Sequence, residues 1–411
     1  MLDVSAHREV LLDLAKKLKA PFFYYDLDAL AKHAERLNRL PVKLFYALKA
    51  NPLSSIIRTL HTEGFRFDVA SIGELEQVLK QGVDPKDILH TGPCKSYEQL
   101  EYFLEKGVRI FVLESAQQLC DLKVLSKLKK LPVQALLRVQ LIWDSDKENV
   151  LGGGGCQTPF GLLPNEWQEV KANGLFNDLS YLDIIGLHCF QWGNIVDINE
   201  LKLIWTTITK KLIHLSDALE IDLKVIDLGG GLGIPYHHNA NETLCLSEVD
   251  QALSELKEAY LEELGAEYWL ELGRYAVGEY GGYVSRIVDK KTVNNKGLLI
   301  TEGGAQHLLR PALTQDPFPC QLLREKLDSN MQTKAFHVHG PLCTSLDKMG
   351  GYLFSEDVSP DDYLLYDQVG AYGFSESMPF FLCHTLPAEV IFQDNKVHIV
   401  RAPVGAESWL K

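Results

Sequence analysis

A lysine directly follows an apolar run in the stretch LFYALKANP, residues 44–52. The aromatic and aliphatic residues before Lys49 predict a buried strand, and Asn-Pro predicts the turn that ends it. Most lysines at the end of a strand extend their ammonium group into solvent. The alternative is a partly desolvated amine placed for covalent chemistry. The other residues with catalytic chemistry decide between these two interpretations.

Two groups of residues near the middle of the chain point to a phosphate site. Gly229, Gly230 and Gly231 follow a strand-like run, and successive glycines let backbone N–H groups point into one concavity that suits a phosphate. A tight turn from strand to helix explains such a run about equally well. Gly273 and Arg274 place another glycine beside a guanidinium at the end of the next predicted strand. Together the two groups favour phosphate.

A carboxylate and two residues with an imidazole or aromatic ring complete this set of candidate residues. Glu271 could be a structural carboxylate paired with Arg274, while His188 and Phe190 lie two apart and therefore on one face of a strand. A lysine, a phosphate cradle, a carboxylate and an aromatic or imidazole face match the needs of pyridoxal phosphate. The lysine binds the aldehyde, the carboxylate keeps the pyridine nitrogen protonated, and the ring covers one face of the cofactor.

Eight strand-like runs alternate with helical stretches and could position these residues. The runs span residues 44–48, 66–71, 87–93, 109–115, 134–143, 183–190, 224–231 and 268–273. Ser71-x-x-Glu74 and Ser115-x-x-Gln118 are capping-box patterns that begin helices between them. This alternation predicts a (β/α)₈ barrel, an α/β fold whose active site forms at the C-terminal ends of the strands. A doubly wound sheet is the alternative, but no GxGxxG follows the first strand.

The residues at the predicted strand ends are the candidates for the site. They are Lys49, Asp68, Arg138, His188, Phe190, Gly229, Gly230, Gly231, Glu271, Gly273 and Arg274. After about residue 275 strand-like runs continue with turns between them, which predicts a second, mainly β domain. The predicted division is residues 28–274 for the barrel, and residues 1–27 together with 275–411 for the β domain.

Composition and charge argue against several classes of binding partner. The 411 residues carry a net charge of −14, which argues against nucleic acid or an anionic membrane surface as the main partner. No run approaches the length of a transmembrane helix, and the N-terminus is amphipathic and charged, unlike a signal peptide. Eight cysteines are scattered without CxxC pairing, so no metal site and no disulfide framework are predicted. A cytoplasmic location fits this pattern best.

The sequence resembles the fold-type III pyridoxal-phosphate enzymes, in the group of ornithine, arginine and diaminopimelate decarboxylases. The resemblance rests on motifs that occur in family order between residues 45 and 380: FYALKANP, FDVASIGELE, HTGPCKS, VIDLGGGLGIPY, ELGRYAVGEYG, LLRPAL, GPLCTSLDKM and GAYGFSESMPF. It implies an alanine-racemase-like barrel that binds pyridoxal 5'-phosphate. It also implies a β domain that completes the active site of the partner in a homodimer.

The resemblance further implies roles for individual residues. Lys49 would bind the cofactor covalently, and Cys343, supplied by the partner subunit, would return the proton to the substrate. Glu271 would face the pyridine nitrogen, while Gly229 to Gly231, Gly273, Arg274 and Tyr372 would hold the phosphate. Arg310 would bind the substrate, and the other substrate-side positions are Thr344, Asp347 and Tyr372. For Cys343 the alternative is a small buried residue, the usual fate of a cysteine.

Two departures from the family pattern concern the cofactor face and the substrate. Strand six reads GLHCFQWGN, so Phe190 stands where the family has a histidine that stacks on the ring, and His188 could equally be a core histidine. Thr344 stands where ornithine-type enzymes have an aspartate and diaminopimelate-type enzymes a glutamate. A cation at the far end of the substrate would therefore lose its partner.

This variant pattern resembles the branch of decarboxylases that work in siderophore or other secondary-metabolite assembly. We therefore expect a substrate that is already conjugated, such as a citryl- or acyl-diamino acid. One alternative is a decarboxylase of a free amino acid of the diaminopimelate, ornithine or lysine type. Another is a non-catalytic pyridoxal-phosphate-binding regulatory protein, against which the combination of Lys49, Glu271, Arg274 and Cys343 argues.

Overall fold

The structure is a computed structural model that describes residues 4–19, 21–143, 158–236, 243–325 and 332–410. The chain divides into two compact units. The barrel unit comprises Ala34–Gly233 and Glu242–Gly273, and the sheet unit comprises Met1–His33, Ile234–Asn241 and Arg274–Lys411. The domain limits predicted at residues 28 and 274 stay a prediction.

Eight parallel strands close into a barrel in the order of the sequence, which confirms the predicted fold class. The strands are β2 (Lys43–Ala47), β3 (Arg66–Val69), β4 (Ile88–His90), β5 (Ile110–Leu113), β6 (Val133–Arg138), β7 (Leu182–His188), β8 (Val225–Asp227) and β9 (Glu267–Leu272). The helices that follow them in the barrel unit are α3 (Ser54–Thr62), α4 (Ile72–Leu79), α5 (Tyr97–Glu105), α6 (Ala116–Lys129), α7 (Pro164–Ala172), α8 (Ile198–Leu219) and α9 (Leu246–Tyr260). Helix α2 (Leu27–Leu37) contributes residues to both units.

All eight barrel strands end before the predicted runs do, and the differences are largest for β6 and β8. Strand β6 stops at Arg138, and the following Val139, whose N–H still donates to the carbonyl of His188, bridges to Leu162. Strand β8 stops at Asp227, because Gly229 has φ +63°, a left-handed conformation that cannot continue a strand. Each of these two strands therefore ends with a polar residue, Arg138 or Asp227, and the loop that follows it starts at the C-terminal mouth of the barrel.

The interior of the barrel is filled by one apolar side chain from nearly every strand. This cluster consists of Phe45, Leu89, Val112, Leu136, Ile185, Val225 and Trp269, and each is at most 3% exposed. The rings of Phe45 and Trp269 pack with centroids 5.0 Å apart. We call this cluster the barrel plug. It is a solid core, so polar residues in the barrel are confined to the ends of the strands.

The two predicted capping boxes begin helices where expected. The Ser71 hydroxyl accepts the N–H of Glu74 at the start of α4, and the Ser115 hydroxyl accepts the N–H of Gln118 at the start of α6. Each satisfies a backbone donor that the first helical turn leaves without a partner.

The sheet unit is built on nine strands, seven of which follow one path in the order β14-β13-β11-β10-β1-β17-β18. Strand β15 pairs with β10 and with β12, while β16 and β19 form a separate two-stranded sheet. The strands are β1 (Phe22–Asp26), β10 (Gly281–Val293), β11 (Lys296–Thr301), β12 (Cys320–Leu323), β13 (Thr333–His339), β14 (Lys348–Ser355), β15 (Tyr363–Tyr366), β16 (Thr385–Leu386), β17 (Ala388–Gln393), β18 (Lys396–Arg401) and β19 (Val404–Gly405).

Helix α1 (Val4–Leu18) covers one face of this sheet, and the side chains between the helix and the sheet form a hydrophobic core. Its Leu11, Leu12 and Ala15 pack with Phe22 of β1 and Val390 of β17, all of them buried. Two short helices, α10 (Arg274–Val277) and α11 (Arg310–Thr314), complete the unit. The strand-like runs of the sequence did not include β12, β14, β16 or β19. Strand β14 carries two adjacent glycines, β12 is only four residues long, and β16 and β19 have two residues each.

Removal of a plug side chain should destabilise the barrel. Leu89→Ala leaves a cavity beneath the strand ends and should lower the free energy of unfolding by about 2–5 kcal/mol. Leu128→Ala on α6 is the matched control, because Leu128 is 70% exposed, and it should change stability by about 0.5 kcal/mol or less. Urea-induced unfolding of both variants measures the difference. Equal midpoints would contradict the assignment of the plug as the core of the barrel.

Candidate active site

Polar side chains replace apolar ones at the C-terminal ends of the barrel strands. Arg138, His188 and Asp227 are the last residues of β6, β7 and β8, and the strand register places them side by side. Glu271 lies near the end of β9, and Asp68 near the end of β3. All five side chains are at least nine-tenths buried. The parallel strands thus bring together five residues that are far apart in the sequence.

Lys49 lies in a short 3₁₀ turn, Leu48–Ala50, that follows β2 at the same end of the barrel. Leu48 and Ala50 on either side are buried, whereas Lys49 is exposed. The sequence raised the possibility of a desolvated amine, and this geometry shows an accessible one instead. Its positive charge lowers the pKa of both Asp68 and Glu271, so Lys49 lies within electrostatic reach of these two carboxyl groups.

Glu271 and His188 form the centre of the polar cluster. Nε2 of His188 lies 3.2 Å from Oε1 of Glu271, an ion-pair distance without the angle of a hydrogen bond. Burial alone would raise the pKa of Glu271, but His188, Lys49 and Arg138 lower it to about 2. Burial lowers the pKa of His188, and Glu271 only partly offsets this effect. Glu271 is therefore a buried carboxylate that stays ionised across the neutral pH range.

Asp68 is a second buried carboxyl group of this cluster. Its Oδ1 accepts the hydroxyl proton of Thr91 at 2.5 Å. Burial raises its pKa well above the ordinary range, and the nearby Glu271 adds to this shift. Because like charges at close range cannot both be ionised cheaply in a buried site, Asp68 favours its protonated form.

A second ionic group surrounds Arg138. Nη1 of Arg138 donates to Oε1 of Glu114 at 3.1 Å, and its guanidinium lies 4.5 Å from the ring centroid of Phe160. Nζ of Lys95 lies 3.9 Å from the same carboxylate oxygen and donates to the carbonyl of Gly92. Burial lowers the pKa of Lys95 to about 8, although Glu114 opposes this shift.

The sequence pattern did not single out Lys95, Glu114 or Asp227, yet signals for them exist. The capping box of α6 holds Glu114 in place, because the side chain of Gln118 accepts the N–H of Glu114 at 2.9 Å. Lys95 belongs to the motif HTGPCKS and Asp227 to VIDLGGG, so both were inside recognised motifs. A charged residue in an otherwise apolar strand end is the signal that could have found them.

The glycine loop after β8 is packed so closely that larger residues cannot replace its glycines. A Cβ at Gly229 would lie 2.4 Å from the Cβ of Phe190, and a Cβ at Gly230 would lie 2.5 Å from the carbonyl oxygen of Glu271. Gly231 has φ +109°, which only glycine adopts readily. Ile195 and Leu232 bridge the loop to the segment after β7. The loop is therefore a rigid backbone surface directly beside Glu271.

The segment after β7 packs against the segment that follows β6. Oε1 of Gln191 accepts the N–H of Leu141 at 2.8 Å, and its Nε2 donates to the carbonyl of Leu141 at 2.7 Å. The rings of Trp143 and Trp192 meet edge to face, with centroids 6.2 Å apart. The segment that departs from the family pattern, residues 190–194, thus has defined hydrogen bonds and ring contacts. Its Phe190 packs against the glycine loop.

Within the sheet unit, two arginines lie over one tyrosine ring. The guanidinium carbons of Arg274 and Arg310 are 4.8 Å and 4.5 Å from the ring centroid of Tyr372, which has φ +55°. Arg274 also donates to the hydroxyl of Tyr236. Nη1 of Arg310 donates to both carboxylate oxygens of Glu376, at 3.0 Å and 2.7 Å. We call these five residues the tyrosine–arginine ladder; the sequence analysis singled out all except Tyr236 and Glu376.

Cys343 and Thr344 lie in the turn between β13 and β14 of the sheet unit. Cys343 is exposed, so the alternative of a small buried residue does not apply within this chain. Asp347 is 1% exposed, and its oxygens accept the N–H groups of Ala305 and Leu342, each at 2.7 Å. Asp347 therefore fixes the backbone beside Cys343, and its predicted contact with substrate stays a prediction.

The barrel mouth has the features that pyridoxal phosphate requires. Buried polar atoms of His188, Glu271 and Glu114 have no hydrogen-bond partner within the described ranges, so a ligand can satisfy them. An ionised carboxylate, an accessible lysine and a glycine loop are present in the same unit. The nitrogen and oxygen atoms of His188, Asp227 and Glu271 also lie within 4.8 Å of one another, a spacing that a cation could use. The glycine loop and Lys49 would have no part in such a cation site, whereas the cofactor uses both.

Comparison with known proteins agrees with this geometry. Residues 27–278 match the model of the family "Pyridoxal-dependent decarboxylase, pyridoxal binding domain". The chain belongs to this family. It is therefore a pyridoxal-phosphate-dependent enzyme that removes the carboxylate of an amino acid.

Individual relatives cover almost the whole chain. A diaminopimelate decarboxylase of Campylobacter jejuni is 26% identical over 393 residues, which are 94% of each protein. An L-glutamyl-[BtrI acyl-carrier protein] decarboxylase of Niallia circulans is 23% identical over 407 residues, 94% of this chain and 92% of that protein. The fold matches the crystal structure of diaminopimelate decarboxylase from Helicobacter pylori complexed with L-lysine, with a TM-score of 0.84, 24% identity and coverage of 97% and 98%.

None of the helices in the described part of the chain has the length and hydropathy needed to span a membrane.

Replacement of Lys49 should abolish covalent binding of the cofactor. Lys49→Ala removes the only atom of this side chain that can bond to an aldehyde, so the purified variant should lack the visible absorption band of the lysine-bound cofactor. Lys86→Ala, at an exposed lysine of the barrel unit, is the control and should keep the band. A normal band in Lys49→Ala would show that another lysine carries the cofactor.

Replacement of Gly230 should weaken cofactor binding. Gly230→Ala forces a Cβ to within 2.5 Å of the Glu271 carbonyl, so the loop must move. The dissociation constant of pyridoxal phosphate, measured by fluorescence titration of the apoenzyme, should rise at least about tenfold, or 1.4 kcal/mol. Gly73→Ala is the control, because the nearest atom to its Cβ is 3.8 Å away. An unchanged constant in Gly230→Ala would argue against the glycine loop as part of the cofactor site.

Proposed function

We propose that this enzyme decarboxylates an amino acid whose far end is already conjugated. The conjugate is a citryl- or acyl-diamino acid, or a carrier-bound amino acid, of siderophore or other secondary-metabolite assembly. The single observation that carries this proposal is the ion pair between Arg310 and Glu376. This pair neutralises the arginine that the free distal carboxylate of an unconjugated amino acid would need as its partner.

The charges near the predicted substrate residues are balanced within the chain itself. Arg310 is 7% exposed and donates both hydrogen bonds to Glu376 through one nitrogen. A free distal carboxylate would have to displace Glu376 from this arginine. Thr344 is uncharged, so a free distal ammonium would find no carboxylate at that position. A substrate whose distal group has become an uncharged amide, ester or thioester meets neither obstacle. A citryl conjugate has no free distal ammonium, but it keeps carboxylates of its own.

One relative provides independent support for a conjugated substrate. The Niallia circulans protein is named as a decarboxylase of L-glutamyl-[BtrI acyl-carrier protein], an amino acid bound to a carrier. Its similarity extends over nearly all of this chain, so both of the units are included. A substrate of this kind has no free distal carboxylate, in agreement with the pairing of Arg310.

The residues of this chain would share the work as follows. Lys49 would hold the aldehyde of the cofactor and release it to the amine of the substrate. When bound, the cofactor would supply an acceptor for the electron pair that the departing carboxylate leaves behind. Glu271, which stays ionised, would keep a proton on the ring nitrogen, and Asp68, Arg138, His188 and Phe190 would lie around the ring.

The remaining predicted contacts concern the phosphate and the proton. The resemblance of the sequence assigns the phosphate to the glycine loop, Gly273, Arg274 and Tyr372, and Tyr372 would also border the substrate. Cys343 of the partner subunit returns a proton to the substrate carbon, which requires a homodimer with shared active sites. The exposed position of Cys343 is compatible with this role. A cytoplasmic location remains part of the proposal.

The second candidate is a decarboxylase of a free amino acid of the diaminopimelate type. The name of the Campylobacter jejuni relative favours it. In that case Glu376 would leave Arg310 when the substrate binds, and Arg310 would take the distal carboxylate. The two candidates therefore differ in what Glu376 does.

A substrate panel separates the two candidates. The holoenzyme is incubated with Nδ-acyl-ornithine and citryl-diamino acids, and in parallel with ornithine, lysine, glutamate and diaminopimelate. Mass spectrometry identifies the decarboxylated product. We expect kcat/KM for a conjugate to exceed that for every free amino acid by at least about tenfold, because a desolvated unpaired charge costs about 1–3 kcal/mol. Preference for a free diamino acid would overturn the proposal.

Glu376→Gln tests the physical reason for this preference. The variant frees the charge of Arg310, so kcat/KM for substrates with a distal carboxylate should rise relative to an uncharged conjugate such as Nδ-acyl-ornithine. Glu325→Gln is the matched control, because Glu325 is also a paired glutamate of the sheet unit but lies on the surface beside Lys16. An unchanged ratio in Glu376→Gln would separate Glu376 from substrate selection.

A further inference from the structure

Asp227 is a buried acid for which the proposed reaction has no use. It is the last residue of β8, directly before the glycine loop, and it is completely buried. Its Oδ1 accepts the N–H of Gly229 at 2.8 Å. Its Oδ2 has no hydrogen-bond partner among the residues that the structure describes. A buried carboxyl oxygen without a partner is costly, so its retention at this place calls for a physical reason.

The position of Asp227 connects two parts of the cofactor site. Gly229 is held by Asp227 through its N–H, while its carbonyl oxygen accepts the N–H of Glu271 at 2.6 Å. One residue therefore joins the side chain of Asp227 to the backbone of Glu271. Any shift of Asp227 would move both the first glycine of the loop and the residue that carries the ionised carboxylate.

The side chains of Asp227 and Glu271 also approach each other. One oxygen of each lies within 4.8 Å of the other and of a ring nitrogen of His188. Two carboxylates at this range in a buried site repel each other strongly, so the pair favours a state with one shared proton. Lys49 and Arg138 lower the pKa of Glu271, whereas the hydrogen bond that the Asp227 carboxyl group accepts comes from a neutral backbone N–H.

We propose that Asp227 is a positioning residue that remains a neutral carboxylic acid, holds the glycine loop through Gly229, and donates its proton toward Glu271. The O–H of Asp227 then stabilises the ionised form of Glu271, and its other oxygen keeps the loop in register. Asp227 touches neither substrate nor cofactor in this arrangement. The inference does not depend on which amino acid is the substrate.

The surrounding charges support this distribution of protons. Burial raises the pKa of Asp227 well above its ordinary range, and Glu271 and Asp68 add to the effect, while the Gly229 N–H opposes it. The titratable and charged groups of the barrel mouth within the described residues are Lys49 after β2, Asp68 on β3, Glu74 on α4, Lys95 after β4, Glu114 after β5, Arg138 on β6, His188 on β7, Cys189 after β7 and Glu271 on β9.

A neutral acid and an amide have the same shape, which makes the test sharp. Asp227→Asn keeps an acceptor for Gly229 and a donor toward Glu271, whereas Asp227→Ala loses both. We expect the dissociation constant of pyridoxal phosphate to stay within about threefold of the wild type in Asp227→Asn. In Asp227→Ala it should rise at least about tenfold, equivalent to 1.4 kcal/mol. Circular dichroism checks that both variants fold.

Two readouts separate a proton donor from a residue that only fills space. Infrared difference spectra of wild-type minus Asp227→Asn holoenzyme at neutral pH should contain the C=O band of a protonated carboxyl group. The melting temperature gives the second readout, since unfolded Asp227 loses its proton at lower pH than the folded residue does. The stability of the wild type should therefore fall relative to Asp227→Asn as the pH rises from about 5 to 8.

Each contrary result would overturn the proposal. Cofactor binding in Asp227→Ala equal to the wild type would exclude a positioning role. Absence of the protonated carboxyl band, with Asp227→Asn as impaired as Asp227→Ala, would show that Asp227 acts as a charged carboxylate. A pH-independent difference in melting temperature between the wild type and Asp227→Asn would lead to the same conclusion. None of these measurements requires the substrate, so they are independent of the substrate panel.

Discussion

The burial of an ionised Glu271 is the constraint on which the rest of the barrel mouth depends. A carboxylate removed from water must find compensation from neighbouring charges or hydrogen bonds. Here Lys49 and Arg138 provide positive charge, the imidazole of His188 lies 3.2 Å from the carboxylate, and each of the three residues comes from a different strand end. The compensation therefore exists only when the barrel closes in register. This ties the chemistry of the site to the fold as a whole.

Two features of the barrel keep these charges at fixed positions. Below them the barrel plug is tightly packed, so the polar side chains cannot sink into the interior. Beside them the glycine loop presents backbone where side chains would clash, and the capping box of α6 fixes Glu114 next to Arg138. Preorganised charges of this kind need no rearrangement when an ionic ligand arrives. The rigidity of the mouth is thus part of its function.

Much of the fold and several site positions were predictable from sequence, because they depend on local patterns. The eight barrel strands follow from apolar runs, and the helix starts follow from Ser71 and Ser115. The strand ends were harder, since a bridge at Val139 and the left-handed Gly229 decide them. Pairings across long sequence distances could not be read at all. The clearest case is Glu376, whose contact with Arg310 joins two turns that are 66 residues apart.

The balance of charge explains how a protein with a net charge of −14 can bind an anionic cofactor. Burial raises the pKa values of Asp68 and Asp227, so both aspartic acids favour their protonated forms and add little negative charge to the barrel mouth. The cationic side chains of Lys49, Lys95 and Arg138 lie in the same region. Protonation of the two aspartic acids thus reduces the negative charge around these cations, which attract a phosphate or a substrate carboxylate.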